Sequence, residues 1–125
     1  MKKIIIADDS STSRMFIKRC FEIAGWRDGD FVEAVDGQNA LTLVKESENV
    51  DLLVTDLNMP NMDGEELLDA VKGDVDLADL PVLVITSAGN PAKEKELMTK
   101  GALAILNKPI SPAVLIEKLK GLTEK

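Results

Sequence analysis

The chain has 125 residues, 45% of them apolar, and a formal net charge of −7. It is long enough for one domain around a single core, and too acidic for the basic face that nucleic-acid binding needs. It contains no histidine and one cysteine, which excludes histidine acid–base chemistry, a Ser-His triad, histidine metal ligands and an internal disulfide.

The chain opens with Ile4, Ile5, Ile6 and Ala7, a short β-branched run that predicts a strand buried on both faces. The run is too short for a signal peptide, and no later stretch approaches the roughly 18 apolar residues of a membrane span. A cytoplasmic protein without membrane contact is expected. Asp8 and Asp9 end the strand, and Ser10, Ser11, Thr12 and Ser13 are N-cap candidates for a helix. Ile17, Cys20, Phe21 and Ala24 have the spacing of its apolar stripe, so Cys20 is expected to be a buried structural thiol. Gly25 ends the helix, and Trp26 beyond it is expected to pack or to cover the surface. Residues 30–34 predict a second strand with a polar edge, and Ala40, Leu43 and Val44 a second helix after the Asp36-Gly37 turn.

A third strand is predicted over 51–55, running into Asp56, Asn58, Pro60, Asp63 and Gly64. Taken alone, this stretch is a strand-to-helix turn with Asp63 as N-cap. Leu67, Ala70 and Val71 mark the third helix, and 73–79 an acidic loop. The fourth strand is predicted over 80–85, with Pro81 near its start where a missing N–H is tolerable. A loop over 86–91 follows. The fourth helix, about 92–100, is mostly Lys and Glu, with Leu97 and Met98 its only large apolar residues. It is the least anchored element and the one expected to move. The fifth strand covers 102–106, and Val114, Leu115, Leu119 and Leu122 mark the C-terminal helix.

Five strands alternating with five helices predict an α/β fold, a doubly wound parallel sheet in one domain over 1–125. The order 2-1-3-4-5 would place the first and third strands at the switch point where ligands bind. A Rossmann-like order competes, but no Gly-rich phosphate loop follows the first strand. Four strands end in chemistry: Asp8 and Asp9, then Asp56, then Thr86 and Ser87, then Lys108. In a parallel sheet these ends share one edge. Two like charges about 4 Å apart repel by about 4 kcal/mol at an effective dielectric of 20, so three carboxylates there call for a cation. Mg²⁺, which takes one or two carboxylates and keeps its waters, fits best. With Lys108 as a second positive centre and Thr86 as a hydroxyl donor, the chemistry is phosphoryl transfer onto Asp56 followed by hydrolysis. A calcium loop starting at Asp56 fails, because its sixth position is Asn61 and its twelfth is Leu67.

With Asp8-Asp9, Asp56-x-Asn58-Met59-Pro60, Asp63-Gly64, Thr86 and Lys108-Pro109 in order, the whole chain resembles the receiver domains of bacterial two-component response regulators, above all the small stand-alone chemotaxis members. The resemblance implies the flavodoxin-like 2-1-3-4-5 fold and Asp56 as phosphoacceptor. It implies Mg²⁺ bound directly by Asp9 and Asp56, through water by Asp8, and by the backbone carbonyl of Asn58. Thr86 and Lys108 would contact the phosphoryl oxygens, and Ser87 would be a small spacer. A cis Lys108–Pro109 bond is expected. The implied partners are a histidine kinase and a downstream protein docking on the fourth helix, fifth strand and fifth helix. A monomer is expected, with no output domain and no catalysis beyond its own phosphotransfer and dephosphorylation. One position departs from the family: Ile105 stands where Tyr or Phe often sits three residues before the Lys. That departure keeps open a receiver-like binding module indifferent to phosphorylation. A metal-dependent hydrolase with an Asp nucleophile is the third alternative.

Overall fold

The computed structural model describes residues 2–87 and 89–120. Strand β1 (Lys3–Ala7) leads into α1 (Ser11–Ile23), β2 (Asp30–Ala34), α2 (Gly37–Glu46), β3 (Leu52–Asp56) and α3 (Gly64–Lys72). Then come β4 (Val82–Thr86), α4 (Pro91–Thr99), β5 (Ala104–Asn107) and α5 (Pro112–Lys118). All pairings are parallel, in the order β2-β1-β3-β4-β5. The alternation of strands and helices thus resolves into the expected doubly wound sheet, and the Rossmann-like order is excluded.

Side chains along a strand alternate between faces, and two cores follow from that period. Ile4, Ile6, Leu52, Val54, Leu83 and Ile85 pack with Ile17, Cys20 and Phe21 of α1 and Leu115 of α5. Ile5, Leu53, Val82 and Val84 pack on the other face with α2, with α3 and with Leu97 of α4. Each fully buried Leu, Ile or Phe contributes roughly 1.5–3 kcal/mol of transfer free energy, so the three inner strands dominate the core.

The helix starts follow side-chain capping. Ser10 caps α1 by accepting from Ser13 N–H, and Asp63 with Glu66 forms a reciprocal capping box on α3. Asn90 caps α4, with Pro91 in its first turn. Several boundaries and core assignments differ from expectation. The third and fourth strands run through Asp56 and Thr86, because Asp56 pairs in register with Ile85 and Thr86 with Asn107. Leu41 and Leu68 are buried where Leu43 and Ala70 are only half-buried. Val114 is 37% exposed, and Leu115 and Leu119 carry the α5 contact. Trp26 is a core residue, 5% exposed, edge-on to Phe21 with ring centroids 5.4 Å apart. Cys20 is buried as expected. Ala88 in the β4–α4 loop and Leu122 lie outside the described residues.

Candidate functional site

Parallel pairing of β1 with β3 places Asp8 and Asp9 beside Asp56 at the carboxyl edge of the sheet. Asp8 is 1% exposed and fully engaged. Its Oδ1 accepts from Ser10 N–H at 2.9 Å, and its Oδ2 accepts from Ser13 Oγ at 2.6 Å and Lys108 Nζ at 2.9 Å. Arg14 braces the same residue from behind: its guanidinium donates to the Asp8 carbonyl at 2.6 Å and pairs with Glu33 at 2.7 Å. Asp56 is 7% exposed. Its Oδ1 accepts from Leu57 N–H at 2.9 Å, and its Oδ2 faces Lys108 Nζ at 3.5 Å. Gly64 lies against this strand end so closely that a Cβ there would sit 2.3 Å from the Asp56 carbonyl oxygen. Only glycine permits that approach.

Lys108 joins the two carboxylates, and backbone geometry explains how it gets there. Its N–H donates to the Thr86 carbonyl at 2.8 Å, so β4 and β5 end in register. The Lys108–Pro109 bond is cis, as expected. Thr86 is 2% exposed at the tip of β4, and Ser87 after it is exposed.

One carboxylate oxygen each from Asp8, Asp9 and Asp56 lies within 4.8 Å of the others. Three carboxylates thus meet at this edge, and Lys108 pairs with two of them. Burial pushes the Asp56 carboxyl above its ordinary 3.8; Lys108 opposes the rise and the Asp8 charge adds to it. Burial acts on Asp8 too, but the Ser13 hydroxyl, the Ser10 N–H and Lys108 outweigh it and hold Asp8 below that value. For Lys108, the carboxylates outweigh the cost of burying its charge and raise its pKa. The excess negative charge and all-oxygen donors fit a hard divalent cation such as Mg²⁺. Asp9 is exposed and accessible to an ion. Asp8 offers a carboxylate oxygen to the same cluster while both of its oxygens also hold hydrogen bonds. Asn58 lies exposed in the turn after Asp56.

The sequence-predicted residues therefore converge at one edge. Sequence reasoning missed what holds them: the Ser13 hydroxyl as a ligand of Asp8 rather than a cap, and the Arg14 brace. Ser13 lies only five residues beyond Asp8, in the first turn of α1, a closeness in sequence that could have shown it. Nothing local marks Arg14 as a partner of Glu33, 19 residues on.

Residues 4–120 match the family model for the response regulator receiver domain. The chemotaxis protein CheY of Pseudomonas aeruginosa is 40% identical over 123 residues, covering 98% of this chain and 97% of its own. A chemotaxis protein CheY homolog of Campylobacter jejuni is 36% identical over 118 residues, covering 94% of this chain and 89% of its own. The solved receiver domain of Francisella response regulator 1452 superposes with a TM-score of 0.84 at 30% identity, over 99% of this chain and 98% of that one. Matched along nearly its whole length in both sequence and fold, the chain belongs to the response regulator receiver domain family.

Proposed function

We propose that Asp56 is the phosphoacceptor of this receiver, taking a phosphoryl group from a histidine kinase in a Mg²⁺-dependent reaction, and that the phosphorylated protein signals by protein–protein contact. The observation that carries this reading is Lys108 Nζ held between Asp8 at 2.9 Å and Asp56 at 3.5 Å, above a strand tip where three carboxylates meet. An Asp56 carboxylate oxygen attacks phosphorus as the bond to the kinase imidazole nitrogen breaks, and water later cleaves the acyl phosphate back to carboxylate and inorganic phosphate. Lys108 pairs with the transferred oxygens, and the Thr86 hydroxyl donates to them. Asp9, Asp56 and the Asn58 carbonyl would hold Mg²⁺ directly and Asp8 through water; the bound ion supplies positive charge that offsets the carboxylates and the phosphoryl group. Chemotaxis is the pathway we assign, supported by the names of the Pseudomonas and Campylobacter relatives. The output face is α4–β5–α5, where Glu94, Met98, Ile105 and Lys118 line a groove of about 310 Å³.

Intact mass after incubation with acetyl phosphate and Mg²⁺ tests the chemistry. A metal-dependent phosphoryl adduct that disappears in Asp56→Asn is expected. An adduct persisting in that variant would overturn the assignment. A second reading is favoured by Ile105, half-buried on the α4 side of β5, where no aromatic ring is present to change its placement. In that reading the same face binds its partner irrespective of phosphorylation. Equal partner affinity with and without beryllofluoride, a stable phosphoryl mimic, would select it.

A further inference from the structure

The loop between β3 and α3 carries Asn58, and it is pinned at both ends. At its start, Leu57 N–H donates to Ile85 O at 2.9 Å, and the Leu57 carbonyl accepts from Gly64 N–H at 2.9 Å. At its far end, the Met62 carbonyl accepts from Gly37 N–H at 3.0 Å, and Asn61 Nδ2 donates to Asp36 Oδ2 at 2.7 Å. The second pin comes from the β2–α2 turn, which the roles assigned above do not use. Gly37 fits there because a Cβ would lie 2.2 Å from the Met62 oxygen. Asn61 has φ +67°, a left-handed conformation that asparagine tolerates better than most residues. Asp36 divides its oxygens: Oδ1 caps α2 by accepting from Asn39 N–H at 2.7 Å, and Oδ2 holds the loop. A hydrogen bond to a charged acceptor is stronger than a neutral one, and this one, at the exposed surface, acts beside the Gly37–Met62 backbone bond.

We propose that Asp36 and Asn61 are positioning residues for the metal, fixing the Asn58 carbonyl through the pinned loop. This rests on the reading of Asn58 as a ligand. Mg²⁺ demands near-ideal octahedral geometry at about 2.0–2.1 Å, so a carbonyl free to drift by a few tenths of an ångström is a poor ligand. The two residues bond to each other rather than to the acid cluster and act through Asn58 alone.

The test is a Mg²⁺ titration of the unphosphorylated protein followed by amide NMR shifts, with thermal unfolding as the check on folding. Asn61→Gly removes the side chain and tolerates the left-handed backbone, though it also frees that backbone, which the side-chain swap does not. Asp36→Asn keeps a competent α2 cap but replaces the bond to a carboxylate with, at best, a weaker neutral bond between two amides. The swap Asp36→Asn with Asn61→Asp restores one N–H donor facing one carboxylate. Each single variant is expected to weaken Mg²⁺ binding by up to about tenfold, the low end for an outer-shell partner because the pair reaches Asn58 only through the backbone, and the swap to recover most of it. Phosphorylation of Asn61→Gly by acetyl phosphate should approach the wild-type rate at saturating Mg²⁺, a split that general damage would not give. Wild-type Mg²⁺ affinity in Asn61→Gly, or a swap no tighter than Asp36→Asn, overturns the proposal. If Mg²⁺ binds and responds to the pair while Asp56 takes no phosphoryl group, the phosphoacceptor reading fails and this one stands. A wild-type protein that binds no Mg²⁺ overturns both.

Discussion

At the residue scale, two aspartates at the ends of adjacent strands are pushed in opposite directions. Asp8 is buried but fully hydrogen-bonded, and Asp56 is buried with one N–H and a longer contact to Lys108. Because burial raises Asp56 above 3.8 in the folded state, the folded protein binds its proton more tightly than the unfolded chain does. Its penalty is therefore fully present above the folded pKa and vanishes as pH falls below 3.8. Asn imitates the protonated form. Asp56→Asn should thus raise the metal-free melting temperature by a few degrees at neutral pH, with the gain shrinking on acidification; calorimetry across pH checks this. An unchanged melting temperature at neutral pH would show that Lys108 already offsets the buried charge. The acids and the lysine were legible in the sequence because each ends an apolar run. The partners that tune them were not. Ser13 had an equally good role as a cap, and Asp36 and Asn61 are 25 residues apart and each ordinary in a turn.

At the element scale, α4 stands out. Leu97 is its one buried side chain among the described residues, and the rest of its hold is ionic. Lys93 pairs with Glu65 of α3 at 2.8 Å, and Lys100 just past the helix pairs with Glu65 and Asp69, both at 3.0 Å. Lys93, first among the causes, Glu96 and Lys100 pull Glu65 down to about 2. Such exposed pairs are individually weak, yet several share one carboxylate, and their effect is screened by salt. Glu65→Gln is expected to speed amide hydrogen exchange in α4 about fivefold at low salt and leave the central strands unchanged. High salt should produce the same loosening in the wild type. Identical α4 protection in variant and wild type would show that Leu97 alone anchors the helix. The run of Lys and Glu looked like a solvated face, because its partners lie 28 and 31 residues upstream on another helix. The strand ends were misplaced for a related reason. Polar Asp56 and Thr86 look like loop in sequence, but the ladder continues through them.

At the scale of the whole molecule, the parallel sheet brings Asp8, Asp9, Asp56, Thr86 and Lys108 to one edge, and the alternation of elements made that order readable. A metal held there links the folded state to the ion. Saturating Mg²⁺ should raise the melting temperature, by about 2.7 kcal/mol of stability at a hundredfold excess over the dissociation constant, and chelation should remove the gain. Protons compete for the same oxygens. Since Asp56 is raised and Asp8 lowered, the Mg²⁺-induced gain should disappear on acidification as Asp56 protonates, before Asp8 does. A gain that persisted until Asp8 titrated would place the ion away from Asp56. Thermal unfolding with and without Mg²⁺ over a pH series measures both.

The bridge from Lys108 to Asp8 spans 100 positions of the chain. Synthesis therefore produces all three carboxylates long before the ammonium that faces them. Without β5 beside β4 the three carboxylates would meet with no Lys108 between them, and a divalent ion bound at this edge would then supply the missing counter-charge.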